Sequence, residues 1–105
     1  MPVREITEEC FDEIVLKSER PVLLEFGAEY CAPCRVLAPV IKRISDERED
    51  ILFGAVDVEA SPSIAARFGV MSVPTVIALT AGREAGRASG NITRERVIGL
   101  IGLHR

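Results

Sequence analysis

The sequence predicts an α/β fold in which a mixed sheet of five strands is flanked by four helices. Short apolar runs alternate with segments in which apolar residues recur every three or four positions, in the order strand, helix, strand, helix, strand, helix, strand, strand, helix. Strands separated by helices favour parallel pairing through right-handed crossovers, whereas the two consecutive strands near the end predict an antiparallel hairpin. We therefore expect a mixed central sheet with helices on both faces.

The first elements are a short strand over residues 2–6 and a helix over residues 7–18. Thr7 is a candidate N-cap for this helix, whose apolar residues have helical spacing. The apolar run at residues 21–28 is too short for a core helix and predicts a buried strand. One charged residue, Glu25, lies inside this run.

The middle of the chain predicts a helix over residues 32–48, because its apolar residues fall on one face. Residues 51–58 form an apolar run that predicts a strand. The next helix covers residues 61–69, with Ser61 as N-cap, a proline at the first helical position and Gly69 as terminator.

The last third of the chain predicts a hairpin and a helix. Residues 75–80 and 84–89 are the two strands, and Ala-Gly-Arg at 81–83 is the connection between them. A final helix is expected over residues 93–104. Its two glycines weaken it by roughly 1 kcal/mol each relative to alanine.

Composition excludes several classes of protein. The 105 residues suit one domain covering residues 1–105, and the 48% of hydrophobic residues can build a core without disulfides. The net charge of −3 with mixed signs offers no basic patch for nucleic acid or an anionic membrane, and no apolar run is long enough to span a bilayer. The N-terminal residues lack the features of a signal peptide, so we expect a cytoplasmic protein.

The segment EYCAPCR at residues 29–35 places Cys31 and Cys34 three positions apart, between a buried strand and a helix. At the helix start, the sulfur of Cys31 can face unpaired N–H groups, which lowers the pKa of its thiol. Cys34 lies one turn into the helix on the inward face. One activated, exposed thiol and one shielded partner are what thiol–disulfide exchange requires.

Two other interpretations of the cysteine pair remain open at this point. A zinc site needs two further ligands, and only Cys10 and His104 are left, at opposite ends of the chain. The pair could also be two unreactive thiols. We expect no metal and no cofactor, a buried and inert Cys10 on the apolar face of its helix, and a solvated His104.

Three stretches, LLEFGAEYCAPCRVLAPVI, DVEASPSIAARFGVMSVPTVIAL and AGRE, resemble the thioredoxin family in order and spacing over nearly all of the chain. The resemblance implies a thioredoxin fold, in which four of the five strands form the core of the sheet. It also implies a cis peptide bond between Val73 and Pro74 that faces the cysteines. It makes Cys31 the nucleophile and Cys34 the resolving thiol.

The resemblance makes Glu25 the counterpart of a buried acid that moves a proton to and from Cys34. A carboxylate inside an apolar strand is costly unless it is protonated, paired or hydrated, and a raised pKa would suit proton transfer near neutral pH. The alternative is an edge position whose side chain reaches water.

The resemblance further implies that substrate binds at Tyr30, Val73, Pro74 and Gly90. The backbone before a cis proline can pair with an extended substrate strand. Tyr30 next to the nucleophile favours a surface contact, although a place in the core would also explain it. Simple packing would likewise explain Val73.

The sequence also departs from the usual pattern of the family. Ala32 and Pro33 lie between the cysteines and are expected to tune the redox potential, and Ala32 replaces a glycine. Glu25 replaces an aspartate, Gly27 and the active-site tyrosine stand where tryptophans are common, and Ala55 occupies the place of a lysine that often pairs with the buried acid. These changes affect substrate range and potential rather than the exchange chemistry.

The predicted function is a protein-disulfide reductase that carries electrons as a dithiol. Its expected partners are disulfide-containing protein substrates and an electron donor of the thioredoxin-reductase type, and the protein is expected to be a monomer. Two alternatives are an oxidase or isomerase variant and a non-catalytic, redox-sensing module that binds a partner.

Overall fold

The computed structural model describes residues 3–102 and contains the predicted order of elements. The strands are β1 (Arg4–Glu5), β2 (Val22–Gly27), β3 (Leu52–Asp57), β4 (Thr75–Thr80) and β5 (Arg83–Ser89). The helices are a short π-helical segment (Asp12–Leu16), α1 (Ala32–Glu47), α2 (Pro62–Arg67) and α3 (Arg94–Ile101). The predicted α/β fold with five strands and four helices is confirmed.

The strands form one sheet in the order β1-β3-β2-β4-β5. β3 pairs in parallel with both β1 and β2, whereas β4 pairs antiparallel with β2 and β5. β2 is therefore an inner strand. Glu25 pairs with Ala55 on one side and with Val76 on the other, which excludes an edge position for this acid.

The direction of β4 differs from the simplest expectation, in which strands separated by a helix run parallel. β3 ends at Asp57, opposite Gly27, and β4 begins at Thr75, opposite Phe26, so both lie at the same end of the sheet. To run parallel to β2, β4 would have to begin at the opposite end of the sheet, so the connection after β3 would have to cross the whole length of a strand. The helix in this connection, α2, has only 6 residues and spans about 9 Å. The chain therefore enters β4 from the end where β3 leaves and runs antiparallel.

Alternate side chains of β2 point to two separate cores, as the two-sided arrangement predicts. Leu24 and Phe26 pack with the short first helix and α2. Leu23 packs on the opposite face with residues of α1 and α3. Glu25 follows the alternation and lies on the α1 face, which places its carboxyl on the same side of the sheet as the cysteine-bearing helix.

The first helix is shorter than predicted. The prediction covered residues 7–18, but the helical segment is Asp12–Leu16, and Thr7 does not cap it. The N–H of Cys10 donates instead to the carbonyl of Thr7, and the N–H of Thr7 donates to the sulfur of Cys10 at 3.2 Å. This local turn satisfies the polar groups that a longer helix would have used. It leaves Cys10 free and half-buried, less buried than expected.

Other boundaries move by a few residues. Gly69 has a φ of 63° and follows α2, where it ends the helical conformation as predicted. The hairpin connection is the two-residue turn Ala81-Gly82, so Arg83 already belongs to β5. The predicted end of the last helix and His104 lie outside the described residues. Between residues 3 and 102, no helix is long and apolar enough to cross a membrane.

Candidate active site

Cys31 and Cys34 are joined by a disulfide at the start of α1, with their Cα atoms 5.2 Å apart. Cys31 is the N-cap residue, and its sulfur accepts a hydrogen bond of 3.2 Å from the N–H of Cys34. Pro33 lies in the first turn, where a helix tolerates proline because that position needs no N–H donor. The sulfur of Cys31 thus faces the N-terminal end of the helix, as the sequence predicts.

The two sulfurs differ in accessibility. Cys31 is half-buried, whereas Cys34 is 7% exposed. Cys34 shares the buried face of α1 with Leu37 and Ile41, so packing on the sheet determines which thiol is shielded. One accessible and one shielded sulfur is the difference that the three-residue spacing of the cysteines predicts.

Glu25 is 7% exposed and lies on the inner strand β2. No salt bridge or hydrogen bond to its carboxyl comes from any described residue. Burial raises the pKa of Glu25 to about 7 from the ordinary 4.5. Its predicted burial in an apolar strand is confirmed, and its carboxyl is therefore close to its midpoint at neutral pH.

An open cavity of about 310 Å³ brings Glu25 and Cys34 to one surface. Gly27 and Ala55 also line it, and their lack of large side chains leaves the space empty. An added Cβ at Gly27 would lie 3.4 Å from the sulfur of Cys34, so residue 27 adjoins this sulfur directly. The buried acid and the inner thiol therefore share a common route to solvent.

A second cavity, a groove of about 340 Å³, lies between the start of α1 and the loop before β4. The Val73-Pro74 peptide bond is cis, as predicted, and both residues line this groove together with Gly90. The N–H of Gly90 donates to the carbonyl of Pro74 at 3.2 Å, which links the segment after β5 to the loop before β4. Among the described residues, none hydrogen bonds to the backbone of Val73.

Tyr30 is 82% exposed, which excludes a place in the core. It precedes Cys31 but lines neither cavity. Four residues of the groove were not predicted from the sequence, namely Val36, Leu37, Asn91 and Ile92. Val36 could have been found, because it lies three positions after Pro33 on a helix and therefore on the same face.

Comparisons with known proteins identify the family of this chain. A family model described as thioredoxin matches residues 2–102. A thioredoxin of Streptomyces clavuligerus is 40% identical over 74 residues, which cover 70% of this chain and 69% of that protein. A thioredoxin of Pyropia yezoensis is 33% identical over 102 residues, which cover 96% of this chain and 95% of that protein.

The chain belongs to the thioredoxin family. Its paired cysteines are close enough for a disulfide, and together with the family they make it a thiol–disulfide oxidoreductase that acts as a dithiol redox carrier. Neither of the two alternative functions is favoured by these findings. A bifunctional thioredoxin reductase/thioredoxin of Mycobacterium leprae is also similar, at 38% identity over 87 residues, which cover 82% of this chain and 19% of that protein.

Proposed function

We propose that the protein reduces disulfides of other proteins, with Cys31 as the attacking thiol. The thiolate of Cys31 attacks one sulfur of a substrate disulfide, forms a mixed disulfide and releases one substrate thiolate. The thiolate of Cys34 then attacks the sulfur of Cys31, closes the intramolecular disulfide and releases the second substrate thiolate. Two electrons pass from the dithiol to the substrate, whose two thiolates each take up a proton.

The position of Cys31 at the N-cap of α1 is the observation that carries this assignment. Its sulfur accepts from the N–H of Cys34 at 3.2 Å and lies at the positive end of the helix dipole. Both features stabilise a thiolate more than a thiol. Ala32 and Pro33 add no charge to this environment, so in our proposal they leave the helix start as the main influence on the potential.

Glu25 in this proposal accepts the proton of Cys34 when the inner thiol has to become a thiolate. The two residues line the same cavity, and a carboxyl whose pKa is about 7 is suited to exchange a proton near neutral pH. Water in the cavity would carry the proton between them.

The groove beside the disulfide is the proposed place of the substrate segment. The free backbone of Val73 is positioned to hydrogen bond with an extended chain, and Pro74 and Gly90 supply the adjacent walls. The exposed ring of Tyr30 offers apolar contact area next to the half-buried Cys31.

The proposed electron donor is an enzyme of the thioredoxin-reductase type, and the similarity to the bifunctional protein of Mycobacterium leprae supports this. The single sheet formed by the five strands between Arg4 and Ser89 supports a single domain over residues 1–105. Only four large apolar side chains are exposed among the described residues. So small a number supports a monomer, because the interface of an obligate dimer is large and apolar. A reducing cytoplasm is the compartment that fits a catalytic cysteine pair.

Trapping of the mixed disulfide tests the roles of the two cysteines. A Cys34→Ser variant should accumulate a covalent complex with a disulfide substrate such as insulin, because the resolving thiol is missing. A Cys31→Ser variant should form none, and Cys10→Ser is the matched control that should turn over normally. A stable complex with Cys31→Ser, visible on a non-reducing gel, would reverse the assignment.

A further inference from the structure

The cavity behind the cysteines has an unusual combination of charges. Four acidic residues line it, Glu5, Glu25, Glu29 and Asp57, against one basic residue, Arg35. The described residues contain no salt bridge to any of these four acids. The cavity therefore carries negative charge that the fold itself does not neutralise.

The sheet register explains why space remains between the acids. Glu5 on β1 and Glu25 on β2 both pair with Ala55 on the strand between them, so the three residues form one row across the sheet. Adjacent strands are about 4.8 Å apart, which puts the backbones of the two acids about 10 Å apart with only a methyl group between them. Gly27 and Asp57 form the next row on the same face.

Glu25 is the buried member of the four acids. It is 7% exposed, lines the cavity and has no partner among the described residues. Because most of the residue is buried and no described residue pairs with its carboxyl, that carboxyl can meet a cation only in the cavity. Burial raises the pKa of Glu25 to about 7, so a nearby cation would also shift the carboxyl towards its ionised form.

None of the other charged residues at the cavity pairs with the carboxyl of Glu25. The guanidinium of Arg35 donates to the carbonyl oxygen of Glu29 at 3.2 Å and is exposed at the rim. One carboxylate oxygen of Asp57 accepts from the N–H groups of Glu59 and Ala60, at 2.9 and 3.3 Å. Glu5 and Glu29 are exposed to solvent.

The chemistry of the walls favours an organic cation over a metal ion. No group of three or more histidine, cysteine, aspartate or glutamate side chains within residues 3–102 is arranged to hold a metal. The residues between the acids are small and apolar, namely Gly27, Ala28, Ala38 and Ala55. A short alkyl chain would contact these walls while its ammonium group paired with a carboxylate.

We propose that this cavity binds an alkylammonium group, held between Glu25 and Glu5 over Ala55. The volume of about 310 Å³ is at the small end of known ligand cavities and suits an aliphatic amine of a few carbons. Two kinds of molecule carry such an alkylammonium group, namely a free amine and a bound protein with a lysine side chain. The bound ammonium group compensates the negative charge of Glu25 and holds its carboxyl ionised.

Nuclear magnetic resonance of the disulfide form tests the proposal without any turnover, so its outcome does not depend on the proposed proton transfer by Glu25. The probe is n-propylammonium chloride at constant ionic strength, with n-propanol as the neutral control. We expect saturable shifts of the Gly27 amide with n-propylammonium alone. We also expect the pKa of Glu25, followed through its labelled carboxyl carbon, to fall by about 1 or more.

Variants locate the binding site. Glu25→Gln removes the buried charge and Ala55→Leu fills the gap between the acids, and each should weaken binding at least about tenfold. Ala55→Lys places an ammonium group in the gap and should abolish binding of the probe, which provides a second test if the leucine variant folds poorly. Glu95→Gln is the charge-matched control on the exposed surface of α3 and should bind normally.

A blocked Gly-Lys-Gly peptide distinguishes the two sources. Tighter binding of this peptide than of n-propylammonium would identify the lysine of a bound protein, and weaker binding would identify a free amine. Shifts that never saturate, equal shifts with n-propanol, or equal losses in Glu25→Gln and Glu95→Gln would overturn the site.

Discussion

The N–H of Cys34 donates a hydrogen bond of 3.2 Å to the sulfur of Cys31, across the first turn of α1. The inner cysteine therefore contributes twice to the chemistry of the outer one, through its thiol and through its backbone. Because a hydrogen bond to the charged form lowers a pKa, this N–H favours the thiolate of Cys31 once the disulfide is opened. Cys34 receives no comparable contact from the described residues and is shielded from solvent.

Alkylation of the reduced protein should therefore label Cys31 first. With a limiting amount of iodoacetamide at neutral pH, we expect Cys31 to react at least about tenfold faster than Cys34, since the thiolate is the reactive form. Mass spectrometry of peptides gives the order of modification. Cys10→Ser removes the third thiol as a control, and faster labelling of Cys34 would contradict the assignment.

The stability of the protein should fall as the pH rises through the range set by Glu25. Its pKa is about 7 in the folded protein and near 4.5 when the chain is unfolded. Between these values the native state holds a proton that the unfolded chain has lost, so raising the pH favours unfolding. The difference between the two pKa values corresponds to about 3 kcal/mol in the free energy of unfolding. This loss of stability is complete above pH 7 and absent below pH 4.5.

Glu25→Gln should remove this pH dependence. Urea unfolding of the oxidised protein at pH 5 and pH 8 measures the free energy of unfolding, and the variant should lose less stability over this range than the parent. Glu95→Gln is the control for an exposed acid and should follow the parent. Parallel pH profiles for parent and Glu25→Gln would show that Glu25 ionises normally.

Release of substrate should also depend on Glu25 if it accepts the proton of Cys34. A mixed disulfide formed with Cys31 should be resolved about tenfold or more slowly in Glu25→Gln than in the parent at pH 7, because general base catalysis is lost. The difference between the two rates should become smaller at alkaline pH, where hydroxide can take up the proton and no protein base is needed. Stopped-flow measurement of the released thiolate gives the rates, and equal rates at pH 7 would exclude this role.

Most elements of the fold were predictable from local patterns. Apolar runs and helical spacing gave β2, α1 and β3 almost to the residue, because each buries a regular set of side chains. The first helix was predicted too long, since the turn between Thr7 and Cys10 competes with helix formation in a way that spacing does not reveal. Such a turn depends on side-chain hydrogen bonds, which periodicity cannot predict.

The direction of β4 and the composition of the groove needed the three-dimensional structure. Both depend on where the loop before β4 returns to the sheet, which is a tertiary property. The sequence could place Val73, Pro74 and Gly90 at the site only through the family resemblance. Their meeting with Pro33 in one groove became visible in the structure.

The hairpin turn offers a test of the fold that is independent of the active site. Ala81 has a φ of 52° and Gly82 a φ of 77°, and a left-handed conformation costs a residue other than glycine roughly 1–2 kcal/mol. Asn-Gly is a preferred pair in such turns, so Ala81→Asn should raise the free energy of unfolding by about 1 kcal/mol. Ala60→Asn, at an exposed residue with negative φ, should change it little.

In the function we propose, electrons flow from this dithiol to substrate disulfides. Oxidising relatives stabilise their reduced form by strongly favouring the thiolate, which needs positive charge or several hydrogen bonds at the outer sulfur. Here Ala32 and Pro33 bring no charge, and the guanidinium of Arg35 is hydrogen bonded to the carbonyl of Glu29. The thiolate of Cys31 is therefore stabilised only moderately, and the disulfide form remains favourable.

Equilibration of the Cys31–Cys34 pair in glutathione buffers measures this balance directly. The buffers should be set to the oxidising ratio of the endoplasmic reticulum, on the order of −200 mV, with Cys10→Ser as the background so that only the pair reacts. After acid quenching, a thiol-specific mass tag gives the fraction reduced. We predict that the pair is almost entirely in the disulfide form under these conditions, and a pair that stays largely reduced would contradict electron flow from this dithiol to substrates.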